Sequence, residues 1–117
     1  MSHDALIDAL QCTVETRDDG AVFYRNAAGE YHRTAGPAVV THTGEQHWFQ
    51  NGRLHRENGP AAIYSNGSLL WYRNGVLHRT DGAACILNGI RYWYLNGKEV
   101  SEEEFNCRIA SGDYLEP

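Results

Sequence analysis

Histidines at positions 32, 55 and 78 stand in two successive steps of twenty-three residues, and each is followed by an arginine. Set one beneath another, the copies read FYRNAAGEYHRTAGPAVV from Phe23, WFQNGRLHRENGPAAI from Trp48, WYRNGVLHRTDGAACI from Trp71 and a shortened WYLNGKEV from Trp93. A period of this size constrains the fold more than any other feature. A unit so short cannot bury a core alone, so each must complete its neighbour's in a stack. The last copy loses its Leu-His-Arg, runs into Ser-Glu-Glu-Glu-Phe and reads as a cap.

The units are read as β-hairpins. Asn-Gly recurs at 51–52, 66–67, 74–75, 88–89 and 96–97 between β-branched and aromatic residues, the pattern of two-residue type I′ turns. Asp19-Gly20 and Thr43-Gly44 take the same role in the earlier copies, and Gly36-Pro37 and Gly59-Pro60 mark wider turns between hairpins. The spacing therefore predicts a mainly β chain, an antiparallel meander of stacked hairpins forming one curved sheet. Helical patterns occur only at the ends. Ser2 is placed to cap a short helix carrying Leu6, Ile7 and Leu10, and Ser101 followed by Glu104 reads as a capping box opening a helix through Phe105 and Ile109.

Strand alternation then sorts the side chains. Around Asn51-Gly52, Gln50 should oppose Arg53, Phe49 Leu54 and Trp48 His55; in the next unit Tyr72 should oppose Leu77 and Trp71 His78. One side is expected to hold Phe49, Leu54, Tyr72 and Leu77, joined by Ile63, Leu70 and Val40. The other carries Trp48, Trp71 and Trp93 among Gln46, Gln50, Arg53, His55, Arg73, His78, Arg91 and Lys98. The stretch from Ile86 to Trp93 is one residue shorter than its counterparts, which reverses the faces there unless a bulge absorbs it.

At 117 residues and 42% hydrophobic content the chain is expected to be one domain, with an N-terminal cap over 1–17, repeats over 18–100 and an acidic helix and tail over 101–117. No run approaches the roughly 18 apolar residues of a membrane helix, and the N-terminus lacks the basic-then-apolar order of a secretory signal. A cytoplasmic protein is expected. Cys12, Cys85 and Cys107 form no CxxC pair and read as reduced, small apolar fillers. Both ends are acidic, whereas the repeats carry eight basic residues against Glu30, Glu45, Glu57 and Asp81. Either the ends fold back onto the body or the body meets an anionic partner.

The phrase from Trp48 through His55, with glycine three positions before the histidine, resembles the W-x-x-G-x-x-H-G-x-G core of MORN repeats over about residues 18–100. It departs from that core in one extra residue between tryptophan and glycine and in HRxxGPA for HGxG. That form is similar to the MORN-variant repeats of small bacteriophage proteins and some antitoxin-like proteins, and the ending WYLNGKEVSEEEF resembles the C-terminal cap of the phage versions. The resemblance implies stacked hairpins and a binding or scaffolding role rather than a shared reaction.

The chemistry-bearing residues read the same way. The recurring His-Arg steps offer a base or ligand near neutral pH, yet they recur because the unit recurs. Each imidazole is expected to pack against the opposing tryptophan and bond a neighbouring backbone group. His42 and His47 straddle a turn without the paired spacing of a zinc site, and no Walker loop, GxSxG or HExxH is present. Neither an enzyme nor a cofactor or metal is expected. Alternating Trp and Arg suits nucleic-acid stacking, but the net charge of −5 with a single lysine opposes it. The expectation is a phage-type inhibitor of the anti-CRISPR kind, which blocks or sequesters a host defence protein. Its expected contact residues are Trp48, Arg53, His55, Trp71, Arg73, His78, Trp93, Glu102 and Glu103. The alternatives are an antitoxin-like partner of a cognate toxin, a nucleic-acid binder and a structural protein that self-associates, as in a homodimer.

Overall fold

The computed structural model describes residues 12–114. The helix expected from Ser2 lies outside them. Thirteen strands follow in chain order: β1 (Thr13–Thr16), β2 (Val22–Arg25), β3 (Val39–Val40), β4 (Gln46–His47), β5 (Phe49–Gln50), β6 (Arg53–Leu54), β7 (Ala62–Ile63), β8 (Leu69–Leu70), β9 (Tyr72–Arg73), β10 (Val76–Leu77), β11 (Cys85–Leu87), β12 (Ile90–Leu95) and β13 (Lys98–Val100); helix α1 (Glu102–Ser111) ends the series. The fold is the expected antiparallel meander and does not close into a barrel. Nine strands form one sheet in the order β1-β2-β3-β4-β7-β8-β11-β12-β13, with β5–β6 and β9–β10 as two small side hairpins.

Each unit makes two hairpins because its long strand divides at the tryptophan. Before Trp48, β4 pairs with β7 in the large sheet; after it, β5 folds back on β6 with Phe49 opposite Leu54 and Gln50 opposite Arg53, as expected. The next unit repeats this, with Leu77 opposite Tyr72. Successive side hairpins are tied by backbone bonds, Arg56 N–H to the Tyr72 carbonyl (3.3 Å) and Gly75 N–H to that of Leu54 (2.8 Å). Two hydrogen-bonded rows therefore run along the stack.

The turns belong to two classes rather than one. Asn51, Asn74, Asn88 and Asn96 take φ of 49–51° and their glycines 79–84°, the doubly left-handed geometry of a type I′ turn. Asn66 takes no positive φ; there Tyr64 N–H bonds Ser68 O and Gly67 N–H bonds Tyr64 O, both at 3.0 Å. This is a three-residue loop whose glycine forms a bulge. The same pattern closes the turns at Asp19-Gly20 and Thr43-Gly44, so these three dipeptides depart from the expected type I′ form.

That loop class changes two face assignments. Ile63 opposes Leu69, and Ala62 opposes Leu70, so Ile63, like Val40 opposite Gln46, falls on the tryptophan side rather than with Phe49 and Tyr72. Leu70 keeps its expected side. The short stretch after Ile86 flips nothing: its hairpin uses the two-residue turn at Asn88-Gly89, so the missing residue comes out of the loop. Cys85 opposes Tyr92 and Ile86 opposes Arg91, in the register of Ala62 with Leu70 and Ile63 with Leu69. Trp48, Trp71 and Trp93 thus share one side.

Small residues make the core. Ala38, Ala61, Ala62 and Ala84 are fully buried, with Ala21, Val39, Ala83 and Cys85 beside them. They sit where the rows join, and Trp48 N–H bonds the Ala61 carbonyl (2.6 Å) as Trp71 N–H bonds that of Ala84 (2.7 Å). The larger Phe49, Leu54, Leu70, Tyr72 and Leu77 are half-buried, so the apolar side is a partly open face rather than the expected core. Of the cysteines only Cys85 is a buried filler; Cys107 is exposed on α1.

The stack ends chemically. Val100 occupies the position held by histidine in the earlier units and opposes Trp93. With Leu95 and Phe105 it forms an apolar cluster against which Trp93, Ile109 and Tyr114 pack. Ser101 caps α1 by accepting from Glu104 N–H (3.0 Å). The Glu104 carboxylate completes no capping box; it takes Arg108 one turn on.

Candidate binding cleft on the tryptophan side

The His-Arg pair does the same work in each of the three units that carry it. His32, His55 and His78 each accept at Nδ1 from a turn amide of the following unit, those of Asn51 (3.0 Å), Asn74 (3.0 Å) and Asn96 (2.9 Å). An accepting Nδ1 is an unprotonated one. His55 Nε2 lies 2.7 Å from Glu57 Oε1, so its proton is on Nε2, directed at the carboxylate. The imidazole is thus a clamp between units, holding a turn N–H that makes no other hydrogen bond among the described residues.

The arginine seals the unit from within. Arg33 lies 4.1 Å over the Tyr24 ring, Arg56 3.9 Å over Trp48 and Arg79 3.9 Å over Trp71. Each guanidinium also donates through Nη1 to the carbonyl four residues on, at Pro37, Pro60 and Ala83. What lies over each indole is therefore the arginine next to the histidine, where the imidazole itself was expected. The glycine three residues later makes room: a Cβ on Gly36, Gly59 or Gly82 would come within 2.9 Å of the guanidinium.

Between the His-Arg loops of the second and third units lies a cleft of about 730 Å³. Arg56, Glu57, Trp71, Arg73, His78, Arg79 and Asp81 line it, with Tyr114 from beyond α1 at its end. It brings together three expected contact residues, Trp71, Arg73 and His78. A second, smaller cleft of about 400 Å³ holds Trp93 and Glu102 together with Arg79, Arg91 and Phe105. Trp48 and His55 line neither; His55 is buried and Trp48 is half-buried beneath Arg56. Arg53 is exposed on β6, and Glu103 is exposed in the first turn of α1.

Electrostatics in the main cleft are partly internal. Glu57 bridges His55 and Arg73 (3.2 Å), and Asp81 accepts from Arg79 Nε at 2.7 Å. The Arg79 hydrogen bond holds the Asp81 carboxyl below its usual range. Arg56 has no carboxylate partner among the described residues, and burial pushes its guanidinium down. No group of three or more His, Cys, Asp or Glu able to hold a metal occurs among the described residues, and no described helix is long and apolar enough to cross a membrane.

No protein-family model, curated protein or solved structure matches this chain. Its functional reading therefore rests on geometry. Sequence reasoning passed over Arg56, Arg79, Glu57 and Asp81 as cleft residues. The signal was present: the glycine of HRTAG, HRENG and HRTDG always falls three residues after the arginine, which is the spacing a stacked guanidinium needs.

Proposed function

We propose that this protein is a non-enzymatic protein-binding module that docks a partner along its tryptophan side. The observation that carries the reading is the threefold use of the His-Arg pair as a clamp. The side chains best suited to proton transfer or metal ligation serve the stack, and what they hold in place is a rigid, grooved surface. A preorganised surface loses little conformational freedom on docking. Arg53 and Arg73 project from it, and arginine with aromatic neighbours is the composition that most often carries interface energy. Pairing of Arg73 with Glu57 and of Arg79 with Asp81 reduces the cleft's pull on phosphates and favours a protein partner.

The resemblance to MORN-variant units of small phage proteins extends the proposal to the partner's kind: a host defence protein that the module blocks or sequesters. The test is affinity capture from the lysate of a candidate host by the wild type and by an R53E/R73E variant. Both substituted residues are exposed, and the Arg73–Glu57 pair that the variant breaks is a solvent-screened one that contributes little, so the variant should melt close to the wild type. A defence protein retained by the wild type and lost from the variant supports the reading; retention unchanged by the double charge reversal contradicts docking on this side.

A further inference from the structure

The three His-Arg loops differ at two positions. The residue after the arginine is Thr34, Glu57 or Thr80, and the Glu57 carboxylate is taken by His55 and Arg73 rather than Arg56; the position after it points to a ligand chemistry. Two residues after the arginine stand Ala35, Asn58 and Asp81 in turn. In the third unit the Asp81 carboxylate takes Arg79 Nε at 2.7 Å while Nη1 stays on the Ala83 carbonyl. Arg33 and Arg56 keep the same stacking and the same Nη1 bond. Neither meets a carboxylate among the described residues. Asp81 thus shows what the outer edge of this stacked guanidinium binds, and among the described residues the first two units leave that place open.

We propose that Arg33 and Arg56 form a two-point ladder for an extended acidic segment of a partner protein, whose carboxylates take the places that Asp81 takes at Arg79. The proposal rests on the protein-binding reading above. Its geometry sets the spacing of the acids. Each unit adds two strands to the large sheet, and strands lie about 4.8 Å apart, so equivalent guanidinia recur about every 9.6 Å. A polyproline II segment rises about 3.1 Å per residue with three residues per turn, so side chains three apart point the same way about 9.3 Å apart. In a β-strand residues three apart point to opposite faces. The ladder therefore reads acid-x-x-acid in a polyproline II frame. The cleft beside Arg56 gives the chain room to continue past Asn58 toward Asp81.

Two labelled peptides of identical composition test this by fluorescence anisotropy against the full-length protein. One carries two glutamates separated by two prolines in a proline-rich frame; the other separates them by three. The first should bind at least about tenfold tighter, the difference expected of one charge-assisted contact. Asn58→Asp should supply Arg56 with its own carboxylate, abolish that preference and leave the melting temperature no lower. Asp81→Asn should release Arg79, so that a peptide with a third glutamate in phase gains affinity on this variant alone. Equal binding of the two peptides overturns the ladder, as does wild-type affinity in Asn58→Asp, or an oligothymidine competing as well as the in-phase peptide. A captured protein that Asn58→Asp retains as well as the wild type leaves the protein-binding reading standing and removes the ladder alone.

Discussion

Replacing Gly59 with alanine tests the arginine seal most sharply, because the expected sign is opposite to that of an ordinary Gly→Ala change. Gly59 has no left-handed φ, and the new Cβ would meet Arg56 Cζ at 2.9 Å and Nε and Nη1 at 3.1 Å. The end of an arginine usually moves aside at small cost. Here moving means leaving the Trp48 ring at 3.9 Å and the Pro60 carbonyl at 3.1 Å. A partly desolvated cation–π contact contributes about 1–2 kcal/mol and a hydrogen bond from a charged donor about 1.5–3 kcal/mol. Partial re-formation of the bond and the roughly 0.4–1 kcal/mol that alanine removes from unfolded-chain freedom offset some of this. The net is a loss of about 2 kcal/mol, or about 10 °C in melting temperature for a chain of this size. Thermal and urea unfolding should show it, and in an Arg56→Ala background the same change should be neutral or stabilising. A Gly59→Ala protein that melts at or above the wild type in the Arg56 background would refute the reasoning.

Three further perturbations address the clamp, the turns and the pH response. His55→Ala leaves the Asn74 amide without its acceptor and should cost about 1–3 kcal/mol in chemical denaturation; an unchanged midpoint would remove the clamp from the account. Asn74→Ala puts at a φ of 49° a side chain that lacks asparagine's tolerance of the left-handed region and should cost about 1 kcal/mol, whereas Asn66→Ala meets no positive φ, loses mainly the side-chain bond to Ser68 N–H and should cost less in the same assay. Burial holds the His47 imidazole below its usual value, against a smaller opposing effect of Glu45, so the unfolded chain takes up the proton first. The stability of the neutral form is full above about pH 6.5 and declines as pH falls through the window below it. His47→Gln should flatten that acid limb of a melting-temperature profile, and an equally steep limb in the variant would count against it.

The stack was legible in the sequence because its determinants are local. The 23-residue spacing, the Asn-Gly turns at 51, 74, 88 and 96 and the pairing of Phe49 with Leu54 all follow from two-residue hairpins. Asn66-Gly67 misled because the dipeptide serves both turn classes, and the choice depends on how many residues the strands leave for the loop. The faces of Ile63 and Val40 followed that error, and the one-residue deletion before Trp93 proved to be its converse. The cleft was half legible. Trp71, Arg73 and His78 belong to it, but alternation alone could not show that His55 would be buried against the next unit's turn or that arginine would cover the indole. Both are contacts between units or across a loop, set by three-dimensional proximity rather than strand period.

The central claim is that the recurring histidines are neutral clamps between units. Imidazole nitrogen NMR on the folded protein at neutral pH measures this directly. The account predicts an unprotonated Nδ1 on His32, His55 and His78, with scalar coupling across the hydrogen bond to the amide protons of Asn51, Asn74 and Asn96. A protonated Nδ1 on these histidines, or no coupling to those amides, would contradict it.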